Sequence, residues 1–220
     1  RRAGPFVEPI RHDPNPGFDA HLAEARKVLA LPIEVSGLHW HPFGVYAIPL
    51  AKRTDASGSV WSRRLHLWHP AGEPVGPASP YGVHTHSGTA RSHVLAGRLT
   101  HHLYAFEADP EGLWQRACLG KPEGRATLLA HLQEDTTSGT THTLPKDQPH
   151  GVTKPDDAFA VSLFEQRGGE KAQEFTTWQR TDVPAQPPVR RGPVPLARVQ
   201  AEGLAVLDQV ADEMASVAPG

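Results

Sequence analysis

The 220-residue sequence predicts an all-β fold, an antiparallel sandwich or barrel, with one helix before it and one after it. Short apolar runs rich in Val, Leu, Phe and Trp recur from residue 33 to residue 178. Clusters of Gly, Pro, Asp and Ser divide these runs, as is typical of strands joined by turns. No helical pattern lies between the runs, which favours antiparallel pairing over alternating strands and helices.

The predicted strands are short and closely spaced, and no internal repeat is visible among them. One barrel with additional segments is therefore expected, because 220 residues hold only one such domain. The predicted strands lie near residues 33–37, 43–50, 60–69, 81–86, 92–97, 98–107, 112–118, 125–133, 140–144, 149–154, 158–166 and 173–178.

An amphipathic helix is predicted at each end of the chain. Apolar residues from Phe18 to Leu29 follow the 3–4 spacing of one helix face, and Pro32 ends this helix. A second stripe runs from Leu196 to Val217 after a proline-rich spacer. We expect it to pack outside the barrel or at the subunit contact of a homodimer. The predicted organisation is an N-terminal arm and helix (1–42), a barrel (43–180), and a spacer with the C-terminal helix (181–220).

The composition argues against several classes of protein. The net charge of −2, with both signs interspersed, gives no basic surface for nucleic acid or for an anionic membrane. The sequence has no run of 18 apolar residues, so no transmembrane helix is predicted. Arg1–Pro5 is not followed by an apolar segment, so no signal peptide is predicted. The single cysteine, Cys118, predicts no intramolecular disulfide and no Cys-rich zinc site, so a reducing compartment, the cytoplasm, is expected.

Histidine is unusually frequent, with fourteen in the chain, and the spacing of two of them is informative. His84 and His86 lie two residues apart in the β-prone stretch Tyr81–Gly97. Side chains at positions i and i+2 of a strand point to the same face, about 6–7 Å apart at the Cα atoms. Two imidazoles on one face can therefore converge on one metal ion.

A second segment, Gly139–Lys154, supplies a further histidine, His150. Over roughly residues 60–166 the chain resembles the cupin superfamily, whose two motifs these segments match. The first motif is matched by Gly82, His84, His86, Ala90 and Gly97, and the second by Gly139, Pro145, Asp147, His150 and Lys154. The resemblance implies a jelly-roll β-barrel in which His84, His86 and His150 bind a metal ion.

Three positions depart from the cupin pattern. Ala90 stands where the motif has a ligating glutamate, Asp147 replaces a turn glycine, and Lys154 replaces an asparagine. Without the glutamate, the ion has three neutral imidazole ligands and open positions for substrate and for oxygen or water. Imidazole suits iron, zinc, copper and nickel, so the ligand type does not select the metal. Open positions favour catalysis over a closed structural site.

A three-histidine cupin site without glutamate resembles that of thiol dioxygenases, the cysteine dioxygenase type, and of some diketone-cleaving dioxygenases. The runs Leu65–Pro70, Ser92–His93 and Leu95–Leu99 resemble runs of cysteine dioxygenases, which implies Fe(II), with zinc, nickel or manganese as alternatives. The strand near Ala160–Gln166 keeps only Ser162 of their Ser-x-His-x-Tyr network, and their cross-linked cysteine is absent. Ser162 is therefore a candidate site residue, and a small, anionic substrate other than cysteine is expected.

Alternation along neighbouring strands nominates further site residues. Arg64, His66 and Trp68 share one face of a predicted strand. If this face looks into the barrel, Arg64 can bind a substrate carboxylate and His66 can orient or shuttle a proton. If it looks outward, both are surface residues. His102 and Tyr104 share a face of a later strand, where they line the pocket or form a packed aromatic pair.

Other histidines offer rival interpretations. His39 and His41 form a second His-x-His pair, but no downstream glycine or second motif accompanies it. His142 is the nearest rival to His150, which stands at the distance from the motif proline that the second motif requires. His93 either bonds near the site or belongs to the core or surface. Structural or exposed roles are expected for His12, His21, His69, His101 and His131.

The leading hypothesis is a mononuclear non-haem Fe(II) oxygenase of the cupin type, which uses dioxygen and a small, anionic substrate. The first alternative is a metal-dependent isomerase, lyase or hydrolase on the same barrel. The second alternative is a barrel that binds a small ligand without catalysis. No pair of helices suited to DNA is visible, so no nucleic-acid partner is expected, and no membrane partner either.

Overall fold

The computed structural model describes residues 12–15, 17–41, 43–72, 82–118, 120–155, 157–168, 176–184, 192 and 194–217. The helices are α1 (Phe18–Leu29), α2 (Ile33–Ser36) and α3 (Leu196–Val217). None of these described helices is long and apolar enough to span a membrane. The strands are β1 (His12–Pro14), β2 (His39–His41), β3 (Val45–Thr54), β4 (Val60–Trp68), β5 (Val83–His84), β6 (Thr89–Ala96), β7 (Arg98–Ala108), β8 (Trp114–Cys118), β9 (Lys121–Thr137), β10 (Thr140–Leu144), β11 (His150–Thr153), β12 (Ala160–Arg167) and β13 (Thr176–Arg180).

The strands form two antiparallel sheets. One sheet has seven strands in the order β1-β10-β6-β12-β4-β3-β2. The other has the order β11-β5-β13-β8-β9-β7 and closes into a barrel where β7 pairs with β11. This is the predicted all-β jelly-roll barrel, with α1 and α3 packed outside it, so the predicted fold class is confirmed.

The helices cover one face of the seven-stranded sheet. Leu65 and Leu67 of β4 are fully buried in one cluster with apolar residues of α1 and α3. Burial of a leucine side chain contributes about 1.5–3 kcal/mol, so this interface holds the helices on the sheet. Because side chains alternate along a strand, Arg64 and His66 face the opposite way, into the space between the sheets.

Polar contacts fix the C-terminal helix in place. The Gln200 side-chain amide donates to the carbonyl oxygen of Leu29 at 2.8 Å, which joins α3 to the end of α1. The Tyr46 hydroxyl donates to the carbonyl oxygen of Val194 at 2.8 Å and accepts from the Val194 N–H. The chain that enters α3 is therefore held on β3.

The predicted strand at residues 33–37 is wrong, because α2 (Ile33–Ser36) occupies this segment. Pro32 stands just before its first turn, and its carbonyl accepts the Ser36 N–H at 2.9 Å. Gly37 follows with a φ of 70°, a left-handed conformation that glycine adopts readily and that ends a helix. These two residues stabilise a single helical turn that apolar content alone does not indicate.

Several strands differ in length from the sequence-based expectation. β1 and β2, three residues each, lie in the segment predicted as arm and helix, and they form the edges of the seven-stranded sheet. Runs this short carry no alternation that would reveal them. β9 is 17 residues long because it pairs with both β7 and β8. The arm before His12, Tyr81, residues 173–175 and residues 185–191 of the spacer lie outside the described residues.

Candidate metal centre

Three imidazoles meet inside the barrel. His84 ends β5, His86 follows it, and His150 begins β11 as the direct cross-strand partner of His84. One ring nitrogen of each lies within 4.8 Å of those of the other two. The ring centroids are between 4.4 and 5.1 Å apart. Small side-chain rotations bring such a trio onto one ion, which imidazole nitrogens bind at about 2.0–2.1 Å.

A tight turn positions two of the three histidines. Asp147 has a φ of 61°, a left-handed conformation that Asp adopts more readily than most residues. Its backbone N–H donates to the carbonyl oxygen of His86 at 3.1 Å. The carbonyl oxygen of Gln148 accepts from Nδ1 of His150 at 3.1 Å. Because Nδ1 carries the proton, Nε2 of His150 carries the lone pair that a ligand needs.

Burial keeps two of these imidazoles neutral. It lowers the pKa of His150 to about 4, although the bond to the Gln148 carbonyl opposes the shift. Burial, and after it the nearby His150 and His84, hold the pKa of His86 well below its ordinary value. Neutral imidazole is the form that binds a metal, so these ligands need not release a proton at pH 7.

Within the described residues, no carboxylate belongs to this cluster. Ala90, at the position of the motif glutamate, is fully buried among Leu103, Leu144 and Phe164. The available donors are therefore three imidazoles, which suit a first-row transition metal and leave coordination positions open.

A cavity of about 50 Å³ lies beside the histidines. One water needs about 10–15 Å³ of such space, so the cavity admits only a few waters or a ligand of a few heavy atoms. Val45, Leu144, Val152 and Phe164 contribute much of its apolar wall. A site of this kind selects small ligands and excludes bulk water.

Arg64 lines the cavity, so the face of β4 that carries Arg64 and His66 looks into the barrel. Its guanidinium lies 5.4 Å from the centre of the Phe164 ring. No carboxylate pairs with it in the part of the chain that the structure describes, and burial lowers its pKa. Arg64 is half-buried, and a partly desolvated cation without a described counter-charge is costly, so an anionic ligand would offset that cost.

His66 is the second polar group of β4 in the cavity. Its ring stacks on Phe164 at 5.3 Å between centroids. Nε2 has no hydrogen-bond partner among the described residues. Burial, and after it the charge of Arg64, hold the pKa of His66 well below its ordinary value. A neutral imidazole with an unused ring nitrogen can hold or accept a proton from a ligand.

His39 and His41 do not join the three histidines. The His41 ring lies 6.4 Å from that of His66, and burial, followed by Arg64 and His39, lowers its pKa to about 4. Nδ1 of the exposed His39 bonds to the Gly37 carbonyl at 3.0 Å. The pair stands near Arg64 and outside the cluster of converging nitrogens, so it does not supply the ligands.

Of the two alternatives for His102 and Tyr104, the structure does not place them in the lining of the cavity. His102 bonds to His131 at 3.1 Å and to Thr153 at 2.9 Å. The Tyr104 ring stacks on His131 at 4.7 Å between centroids. The reason is the orientation of β7, in which Leu103 is buried inside the barrel and its neighbours point outward. The packed aromatic alternative describes them.

Ser162 is fully buried on β12 and reaches the site only through Trp68. Its hydroxyl accepts a hydrogen bond from the indole Nε1 of Trp68 at 3.2 Å. Trp68 lines the cavity and Ser162 does not. Ser162 therefore holds a wall residue in position.

His101, for which a structural or exposed role is expected from the sequence, lines the cavity. Its ring stacks on His142 at 3.4 Å between centroids with an angle of 12°, and both rings are buried. His142, the rival of His150, therefore lies apart from the three converging histidines. The signal for His101 is its spacing two residues from Leu99 and Leu103, which are buried on the same side of β7.

No protein-family model matches this chain, and no curated relative matches it either. Among solved structures, a protein from Shewanella oneidensis is 19% identical with a TM-score of 0.40, over 65% of this chain and 79% of that chain. Hydroxypropylphosphonic acid epoxidase from S. wedmorenis is 14% identical with a TM-score of 0.32, over 57% and 50%. A mutant of oxalate decarboxylase from Bacillus subtilis is 12% identical with a TM-score of 0.33, over 63% and 29%. Similarities of this size carry no functional argument, so function has to be inferred from the side chains of the site.

Proposed function

We propose that this protein is a metal-dependent enzyme of the cupin type, a mononuclear non-haem Fe(II) oxygenase that acts on a small, anionic substrate with dioxygen. The observation that carries the proposal is the convergence of His84, His86 and His150 in one small cavity beside Arg64, which has no carboxylate partner among the described residues. Three ligands with open positions suit a catalytic ion better than a structural one.

The donor set fits iron, although it does not exclude other metals. His84, His86 and His150 would hold the ion through neutral imidazole nitrogens, with no carboxylate. Such a set resembles the three-histidine site of thiol dioxygenases, which favours Fe(II) over zinc, nickel or manganese. When bound, iron would mediate electron transfer from the substrate to dioxygen, so that both oxygen atoms enter the product and the substrate is the only reductant.

Arg64 supports the assignment of an anionic substrate. A guanidinium offers two parallel N–H donors to a carboxylate or phosphonate, a pairing that is strong where water is excluded. His66 faces the same cavity, and its unused nitrogen can take a proton from the substrate or orient it by a hydrogen bond. We infer that Arg64 binds the substrate and that His66 manages a proton.

Phe164 supports a substrate other than cysteine. In the resemblance to cysteine dioxygenases, it stands where their polar network has a histidine. Here its ring lies 5.0 Å from that of His86, 5.3 Å from that of His66, and under the Arg64 guanidinium. An apolar ring at this point keeps water out and offers the substrate no hydrogen bond.

The proposal is tested on the full chain purified without a polyhistidine tag. Iron, zinc, nickel and manganese are measured by elemental analysis, and oxygen uptake is followed with small thiols, diketones, amino acids and other carboxylates. We expect about one iron per chain after anaerobic loading and oxygen uptake with one substrate class. The His86→Ala variant should lose both, whereas the outward-facing His102→Ala variant should keep both.

Other outcomes separate the alternatives. Zinc or nickel that is lost in the His86→Ala variant, together with no oxygen uptake, would favour an isomerase, lyase or hydrolase on the same barrel. Binding of a small anion without turnover under any metal would favour a non-catalytic barrel. Iron that stays bound in the His86→Ala variant would contradict the assigned ligands.

A further inference from the structure

A second group of metal-ligating side chains lies on the other side of the seven-stranded sheet. It consists of His21 from α1, His93 from β6 and Glu165 from β12, and we call it the outer cluster. One ligand atom of each residue lies within 4.8 Å of those of the other two. The outer cluster shares no residue with the cavity inside the barrel.

The environment of His93 leaves one ring nitrogen aimed at a carboxylate. Nδ1 lies 2.8 Å from the hydroxyl oxygen of Thr141, which fixes the ring. Nε2 is buried, has no hydrogen-bond partner among the described residues, and lies 3.8 Å from Oε2 of Glu165. When Nδ1 donates to Thr141, Nε2 holds a lone pair that faces a negative oxygen. In that tautomer the two acceptors can hold a cation between them, and in the other tautomer Nε2–H faces Oε2 and a bound cation would displace its proton.

His21 completes the group with a second neutral imidazole. Its ring lies 4.7 Å from the His93 ring, and its Nδ1 is buried without a hydrogen-bond partner in the described structure. Burial, and after it His93 and Arg63, lower the pKa of His21, while Glu165 and Glu24 oppose the shift. His21 therefore presents an uncharged ligand nitrogen at pH 7.

Glu165 is held ionised and oriented. Interaction with His93, and then with Arg63, keeps the pKa of its carboxyl below the ordinary value despite partial burial. Oε1 pairs with Nε of Arg63 at 2.8 Å, which turns Oε2 toward His93. Arg63 also pairs with Glu24 at 2.9 Å.

We propose that the outer cluster is a second metal site, specific for a borderline divalent cation of the zinc class. Two imidazoles and one carboxylate are a common zinc donor set. Thr141 behind His93 and Arg63 behind Glu165 hold the ligands in orientation, as outer partners do in metal sites. The ion ties α1 to β6 and β12, so its role is to hold the helix on the barrel. The nearby Glu24 fills the fourth position, which closes the coordination as in a structural zinc site.

The test separates this site from the one in the barrel. Zn²⁺ and Co²⁺ are titrated into the full-length His84→Ala/His86→Ala variant, which lacks the barrel ligands. We expect one equivalent to bind, with the visible absorption of tetrahedral Co²⁺, and Zn²⁺ at 100 times its Kd to raise Tm by about 5 °C. Adding His21→Ala should weaken binding about 100-fold or more and remove the Tm shift. Adding Glu165→Gln should also weaken binding.

His131→Ala serves as the matched control, because His131 is an exposed histidine outside both sites. It should leave the titration unchanged. A parallel titration in the otherwise native chain covers the case in which the double variant fails to fold, since His21→Ala should there reduce the metal content by one equivalent. Equal binding with and without His21→Ala would overturn the site and leave a buried ion-pair network in its place.

Discussion

Two consecutive arginines of β4 show how the two faces of one sheet differ. Arg63 points under α1 and pairs with Glu24 at 2.9 Å and Glu165 at 2.8 Å. Arg64 points into the barrel and lines the cavity with no carboxylate described beside it. A paired arginine contributes to the structure. An unpaired arginine in a small apolar cavity is suited to a ligand that brings the missing charge.

The histidines follow the same division. Inside the barrel, His84, His86 and His150 converge without an acid, while beneath α1 two imidazoles converge with Glu165. The inner group suits an ion that needs open positions and takes its negative charge from the substrate. The outer group already holds a negative ligand and suits an ion that stays in place. Under the two proposals, the inner face carries the chemistry and the outer face contributes to stability.

The largest expected effect is on metal affinity at the inner face. His150→Ala removes one of three ligands, so we expect affinity for Fe(II) or Zn²⁺ at the barrel site to fall by at least about 100-fold. This is more than is typical when a residue that only hydrogen-bonds to a metal ligand is lost. Metal titration monitored by calorimetry measures this. His102→Ala, on the outward face of β7, should change the affinity less than twofold. Equal losses of metal affinity in both variants would contradict the assignment of His150 as a ligand and of His102 to the outward face.

The next effect is on stability against pH in metal-free protein. The pKa of His150 is about 4 in the folded state against 6.5 for an ordinary histidine. Between these values the unfolded chain binds the proton more readily, so stability is complete above about pH 6.5 and is lost as the pH falls toward 4. The loss is about 3 kcal/mol for this residue alone.

Urea unfolding at several pH values, in the presence of a chelator, measures this loss. The His150→Gln variant cannot titrate, so its stability should fall less over the same range. If the variant and the native chain fall equally, His150 is not held neutral by burial.

A smaller effect is expected on substrate affinity. Arg64→Met keeps an unbranched apolar stem and removes the guanidinium charge, so binding of the anionic substrate should weaken about 30-fold, or about 2 kcal/mol. Arg91→Met, an exposed arginine on β6, is the control and should leave binding unchanged. Substrate saturation curves at fixed metal content measure both. An unchanged KM and kcat in Arg64→Met would contradict the proposal that the substrate is an anion bound by Arg64.

The smallest effect concerns the stability of the free protein, and its sign distinguishes the two arginines. Arg63→Met strands Glu165 in a half-buried position and should destabilise the fold by about 1–2 kcal/mol. Arg64→Met removes a half-buried charge that has no described counter-charge, so it should be neutral or stabilising. Urea unfolding without metal or ligand compares them. Equal destabilisation by both would mean that Arg64 has a structural partner.

Local periodicity predicts much of the barrel but only part of the site. The two-residue spacing of His84 and His86 and the motif distance to His150 predict three nitrogens that lie within 4.8 Å of one another, although His86 lies beyond the end of β5 and so does not share a strand face with His84. The same rule shows that His102 and Tyr104 share a face, but it cannot tell which face is inside. That choice depends on Leu103, whose burial is a property of the assembled sheets.

The outer cluster is harder to predict because no spacing within one strand creates it. His21 and His93 are far apart in sequence and meet only because α1 packs across β6. Each looks like an ordinary structural or exposed histidine on its own. The strand predicted at residues 33–37 is wrong for a related reason. Pro32 and Gly37 at the two ends of this segment favour a helical turn more strongly than its short apolar run favours a strand.

His84 and His150 are direct neighbours across β5 and β11, yet about 65 residues separate them along the chain. An ion bound to both would close that stretch into a ring. In the entropy model used for disulfides, closing a ring of this size raises the free energy of the unfolded chain by roughly 4 kcal/mol, which stabilises the folded state. Metal–histidine bonds that serve catalysis would then also act as a reversible cross-link. Binding of the metal during synthesis would speed the folding step that brings the two halves of the barrel together.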